Sequence, residues 1–97
     1  MLEAGMALLS DAQIERHLEG SDWRREGEEI ARDLSFDDFA GAIAFVDRAA
    51  EAAEAANHHP DIFVHGWNKV RLTLSTHSEG GLTEADFALA ASLDALA

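Results

Sequence analysis

His58-His59-Pro60-Asp61-Ile62-Phe63-Val64-His65-Gly66-Trp67-Asn68-Lys69-Val70-Arg71-Leu72-Thr73-Leu74-Ser75 holds the change of rhythm that decides the fold. Upstream of it, Phe36, Phe39, Ile43, Val46, Ala50, Ala53 and Asn57 step by three or four, the spacing of one helix face. Pro60 must end that helix near His58-His59, because it disfavours helical geometry in the residue before it and lacks an N–H. Beyond it the period falls to two. Val70, Leu72 and Leu74 alternate with Arg71, Thr73 and Ser75, the pattern of a half-buried strand. Asp61 to His65 reads as its partner, with Gly66 in or beside the turn.

Working outward, a capping pattern occurs three times: Ser10-Asp11-Ala12-Gln13, Ser35-Phe36-Asp37-Asp38 and Thr83-Glu84-Ala85-Asp86. Each puts Ser or Thr at a helix N-cap and a carboxylate or amide three residues on, so both side chains can meet unpaired backbone N–H groups. Leu9 with Ile14, Leu34 with Phe39 and Leu82 with Phe87 are spaced as hydrophobic staples. The first helix is expected over about 11–19, stopping at Gly20. The third carries Phe87, Ala90 or Ala91, and Leu93 or Asp94, with Leu89 and Leu96 beside them. Trp23 to Arg25 and Glu29 to Leu34 form a weaker hairpin pattern around Glu26-Gly27-Glu28. The expected fold is α+β: a four-stranded antiparallel sheet with three helices on one face, in the order α-β-β-α-β-β-α.

Ninety-seven residues are one domain's worth of chain, and residues 1–97 are read as a single domain with its core over about 8–96. Seven basic residues against nineteen acidic ones give a net charge of −12, the wrong field for direct nucleic-acid or anionic-membrane binding. No apolar run approaches the roughly 18 residues of a membrane span. Residues 1–5 lack the basic-then-apolar form of a secretory signal, which makes the cytoplasm the expected location. The absence of Cys removes disulfides, thiolate metal sites and thiol catalysis together. Nineteen of the apolar residues are Ala and only 27 are larger, a modest core that makes an oligomer the expectation.

Four of the five histidines, His58, His59, His65 and His77, fall within twenty positions. Imidazole exchanges protons near neutrality, and the negative end of a helix dipole favours its charged form, which suits a general acid at His58 or His59. A single His there would be an ordinary cap; two, followed by Pro and a further His after the next hairpin, point to chemistry. A metal site has the ligand types but lacks the H-x-x-x-H spacing that would bring two imidazoles to one helix face. Ser75, Thr76 and Ser78 flank His77 without a G-x-S-x-G elbow, and no phosphate-binding glycine loop is present. Glu54, one turn before His58, can orient that imidazole or simply be a solvated acid. Capping alone accounts for Asp86, and an aromatic such as Trp67 beside a hairpin is more often core than a ligand platform.

Taken together, Glu54-x₃-His58-His59-Pro60-x₆-Trp67-x₉-His77-x₈-Asp86 resembles the signature of the pterin-4a-carbinolamine dehydratases. Trp67-Asn68-Lys69-Val70, Leu74-Ser75-Thr76-His77 and Gly81-Leu82-Thr83 add to the likeness, which covers about residues 8–96. The resemblance implies a lyase that removes water from 4a-hydroxytetrahydropterin to give quinonoid dihydropterin, recycling the cofactor of an aromatic amino-acid hydroxylase. It implies no cofactor and no metal, and a homodimer or homotetramer. It makes His58, His59 and His77 the catalytic set and Glu54, Pro60, Trp67 and Asp86 substrate-binding, with His58 or His77 as acid and His59 mainly holding pterin. His17 and His65 lie outside the motif and are read as structural or surface residues. The chain departs from many relatives in having six residues between Pro60 and Trp67, Ile62 in place of an aromatic, and Ala85 in place of a basic residue. Some relatives act instead as protein partners, as a transcription-factor dimerisation cofactor or an assembly factor for a photosynthetic enzyme. That non-catalytic role is the rival expectation.

Overall fold

A computed structural model describes residues 7–97; the leader reading at residues 1–5 lies outside them. The elements are α1 (Asp11–Leu18), β1 (Arg24–Glu26), β2 (Glu29–Ser35), α2 (Phe39–Ala56), β3 (Asp61–His65), β4 (Lys69–Leu74) and α3 (Glu84–Asp94), with a 3₁₀ turn over His77–Glu79. The four strands form one antiparallel sheet in the order β1-β2-β4-β3. The α+β architecture and its α-β-β-α-β-β-α order are therefore as the periodicities predict.

Strand parity decides which residues reach the helices. Ile30 pairs with Leu74 and Leu34 with Val70, and with Leu72 they line the inner face, whereas Asp33 faces Arg71 on the outer one. The inner set packs with Ile14 of α1, Ala42, Phe45, Ala49 and Ala53 of α2, and Leu89, Ala90 and Leu93 of α3. Each large side chain sealed this way contributes about 1.5–3 kcal/mol. Arg32 also points inward, opposite Leu72; its guanidinium pairs with Asp94, which accepts a second hydrogen bond from Trp23 Nε1 at 2.8 Å. That cluster pins the last turn of α3 to the sheet.

The capping boxes at Ser10 and Thr83 form as expected. The one at Ser35 does not. Ser35 closes β2, opposite Lys69, and Asp38 caps α2 instead by accepting from Gly41 N–H at 2.7 Å. A strand hydrogen bond and a helix cap are incompatible uses of one residue, so the helix starts three positions later. The buried stripe moves with it, to Ala42, Phe45, Ala49 and Ala53, and Phe39 is left 55% exposed. Periodicity alone could not separate the two faces, because so many flanking positions are alanine.

Candidate active site

α2 ends where α3 begins, and the corner between them holds Glu54, His58, His59 and Asp86 of the sequence motif. Asn57 stops α2 by taking the left-handed conformation (φ 52°), and His58 N–H bonds back to Ala53 C=O at 3.1 Å, a Schellman-type ending. This reversal turns two adjacent histidines in different directions. His58 crosses to α3, where its Nε2 lies 2.6 Å from Asp86 Oδ1. His59 folds back over the last turn of α2, with Nε2 2.7 Å from Glu54 Oε2. The i,i+4 pairing of Glu54 with His58 is thus replaced by an i,i+5 pairing with His59, because the left-handed residue between them interrupts the helical spacing.

The two pairs differ in surroundings. His58 and Asp86 side chains are 15% and 0% exposed, whereas His59 and Glu54 are 57% and 76% exposed. Asp86 is fully buried and yet fully partnered. Its Oδ2 accepts from Thr76 Oγ1 at 2.8 Å and from Thr83 N–H at 2.9 Å, while Oδ1 meets His58. Capping is therefore only half of what Asp86 does. The carboxylate sits in the first turn of α3 and the imidazole just beyond the last turn of α2.

Thr76 reaches Asp86 because the chain after β4 is closed into a tight loop. Thr76 N–H bonds Gly81 C=O at 2.9 Å, and the 3₁₀ turn His77–Glu79 spans the gap. His77 opens that turn next to Thr76 and is exposed. Neither Thr76 nor Thr83 is singled out in the sequence as a site residue; both appear only within segments that add to the family likeness, and Thr83 as a helix cap. Pro60 is half-buried and sends the chain from His59 into β3.

Trp67 lies elsewhere. It occupies the β3–β4 turn at the end of the hairpin opposite Pro60, about 17 Å away by the rise of five strand residues. It is 62% exposed, not core, and has a positive φ of 57°, a costly conformation for a bulky residue. Within the chain the fold therefore keeps Trp67 apart from His58, His59 and Asp86. Of the histidines outside the motif, His17 stacks on Phe87 and bridges to Glu84, and His65 stacks on Phe63.

His58 lines a recess of about 240 Å³ together with Ala56, Ala85, Ala88, Leu89 and Ser92. A larger cleft of about 370 Å³ lies between α1 and α3, lined by Gln13, Arg16, His17 and Glu84. The larger cleft is an open, ion-paired surface without a buried polar group. The smaller one borders the buried Asp86–His58 pair. Among the described residues no three His, Asp or Glu side chains are arranged to hold a metal.

Comparison with known proteins points to one family. The family model described as "Pterin 4 alpha carbinolamine dehydratase" matches residues 7–96. A Nocardia farcinica protein named "Putative pterin-4-alpha-carbinolamine dehydratase" is 55% identical over 91 residues, covering 93% of this chain and 95% of its own length. A protein of the same name from Acidobacterium capsulatum is 51% identical over 92 residues, covering 94% and 99%. Among solved structures, a Brucella melitensis protein described as a "transcriptional coactivator/pterin dehydratase" superposes with a TM-score of 0.87 at 36% identity, covering 94% of this chain and 99% of that one. Another, a "pterin dehydratase-like protein" described as "a RuBisCO assembly factor in the alpha-carboxysome", gives 0.65 at 33% identity, covering 77% and 88%.

Proposed function

The chain belongs to the pterin 4 alpha carbinolamine dehydratase family, and from that premise we propose that it is a hydro-lyase acting on 4a-hydroxytetrahydropterin. The observation that carries this reading is the buried Asp86–His58 pair, 2.6 Å apart at the edge of an open recess. The reaction is an elimination. The N5–H proton leaves to a base, the C4a–O bond breaks as an acid protonates the hydroxyl, and the N5 electron pair closes a C4a=N5 double bond. Water and quinonoid dihydropterin result, and no electrons are gained or lost, so imidazoles and carboxylates are sufficient chemistry. General acid–base assistance of this kind contributes about 10²–10⁴-fold.

In this reading His58, oriented by Asp86, transfers a proton. The exposed His59, steadied by Glu54, holds the pterin, and the exposed His77 is the other candidate acid. Pro60 shapes the wall between His59 and β3. A role for Trp67 in binding would require a neighbouring copy to present it. A homodimer or homotetramer fits the modest core, and the product would return to an aromatic amino-acid hydroxylase. A partner-binding role is the second reading, supported by the descriptions of the two solved relatives and by Phe39 and Phe63, which are large, apolar and exposed.

Stopped-flow dehydration of freshly generated 4a-hydroxytetrahydropterin tests the enzyme. We expect wild type to accelerate it and His58→Ala to lose about 10²-fold or more in kcat. His59→Ala should act mainly on KM. Wild type no faster than the spontaneous reaction would overturn the enzymatic reading and leave the partner role.

A further inference from the structure

Asp86 is reached by a chain of hydroxyls whose direction can be worked out from its ends. Ala85 N–H donates to Thr83 Oγ1 at 3.2 Å, so that oxygen is already an acceptor for the first turn of α3. Thr83 Oγ1 and Thr76 Oγ1 are 2.8 Å apart, and Thr76 Oγ1 is 2.8 Å from Asp86 Oδ2. A carboxylate can only accept. Thr76 must therefore spend its single hydroxyl proton on Asp86, and Thr83 must donate to Thr76. The chain runs one way: Ala85 N–H to Thr83, Thr83 O–H to Thr76, Thr76 O–H to Asp86 Oδ2. Thr83 N–H adds a second donor to the same oxygen.

The chain matters because two donors on Oδ2 hold the carboxylate in place and leave Oδ1 as the oxygen that meets His58. With Oδ2 occupied by two donors and α3's positive end beside it, Oδ1 accepts from His58 Nε2–H. The tautomer of an imidazole is set by the hydrogen bond its other nitrogen makes. Among the described residues His58 Nδ1 has no hydrogen-bond partner, and it is not sealed away from the surface. We propose that Thr76 and Thr83 are positioning residues whose one-way hydroxyl chain through Asp86 sets His58 as the Nε2–H tautomer, making Nδ1 its proton-transfer atom. The catalytic meaning of that assignment rests on the dehydratase reading; the assignment itself does not.

The test is the tautomer of His58 in the full chain, read from two-bond ¹H–¹⁵N correlations of ¹⁵N-labelled protein with the imidazole neutral. Wild type should show Nε2 protonated and Nδ1 bare, by tenfold or more. Asp86→Asn should invert this. Thr83 N–H can only donate, so the new amide must turn its oxygen to it, with the Thr76 hydroxyl free to donate to the same oxygen, and its NH₂ toward His58, which forces Nδ1–H. Adding Thr76→Val to Asp86→Asn removes one of the two donors and should weaken the inversion several-fold, while Thr76→Ser should preserve it. In the Asp86 background, Thr76→Val should lower kcat by about tenfold with KM within twofold, and Thr76→Ser should restore it. An Nδ1–H tautomer in wild type, or Nε2–H retained in Asp86→Asn, would overturn the proposal even if the Thr76→Val proteins fail to fold. Tautomers as expected with no turnover would keep the proposal and remove the dehydratase reading; turnover with the wrong tautomer would do the reverse.

Discussion

His58 and His59 are neighbours in the chain, and each has a carboxylate oxygen at hydrogen-bond distance, 2.6 Å and 2.7 Å. On distance alone they are equivalent. Their surroundings make them different residues. The His58–Asp86 pair is withdrawn from water and its carboxylate is held by two further donors, Thr76 O–H and Thr83 N–H. The His59–Glu54 pair lies in solvent, where two mobile side chains lose as much in entropy as they gain in attraction. The contrast teaches that a carboxylate–imidazole contact acquires directional chemistry only when something behind the carboxylate is fixed. Here that something is the first turn of α3, not the helix that carries the histidines.

The sharpest way to break the contrast is to truncate each carboxylate. Asp86→Ala leaves Thr76 O–H, Thr83 N–H and His58 without their acceptor and removes a capping box, so unfolding free energy in urea should fall by about 3 kcal/mol or more. Glu54→Ala should cost less than about 1 kcal/mol. Equal losses would show that the two pairs are alike after all.

A smaller effect is expected at the residue that separates them. Asn57 holds the left-handed turn that sends His58 one way and His59 the other. Asn57→Ala should destabilise by about 1 kcal/mol, whereas Asn57→Gly should be neutral or slightly stabilising. Thermal melts measure this, and the imidazole resonances of both histidines should move in Asn57→Ala. Movement of only one would show that the turn does not set both.

The smallest effect extends the contrast to a third carboxylate. Asp33, on the outer face of the sheet, accepts from Arg71 Nε at 3.0 Å and pairs with Arg24 at 3.0 Å. The Arg71 hydrogen bond first, and the Arg24 hydrogen bond after it, outweigh desolvation and hold the Asp33 carboxyl below its usual range. A depressed carboxyl stabilises the fold above its unfolded-state value, near 4, and that contribution disappears as pH falls through the lower folded-state value. Asp33→Asn should thus differ from wild type by less than about 1 kcal/mol above pH ~5, with the difference vanishing in acid. Denaturation midpoints across pH 2–7 would reveal it. A difference that persists in acid would mean that shape, not charge, is what Asp33 contributes.

Much of this was legible in the chain because its signals are local. Alternation in Val70 to Leu74 depends only on strand pleat, and the capping boxes at Ser10 and Thr83 depend on three consecutive bonds. What was misread was non-local. Ser35 reads as a cap until Lys69 is known to lie opposite it. Glu54 reads as an acid that could orient His58 or lie in solvent until Asn57 is known to reverse the helix, and the ordinary reading of Trp67 as core gives way once its turn is seen to face solvent.

By itself the sequence determined the order of elements, the placing of the His-His-Pro segment at a helix end, and the membership of a family through widely spaced motif residues. Periodicity, capping chemistry and proline geometry act over a few residues and can be read without a fold. Only the tertiary structure decided which carboxylate serves which imidazole. Residues 28 positions apart come together at one corner, and burial, which no local pattern encodes, makes one of two matching contacts directional and leaves the other a surface pair.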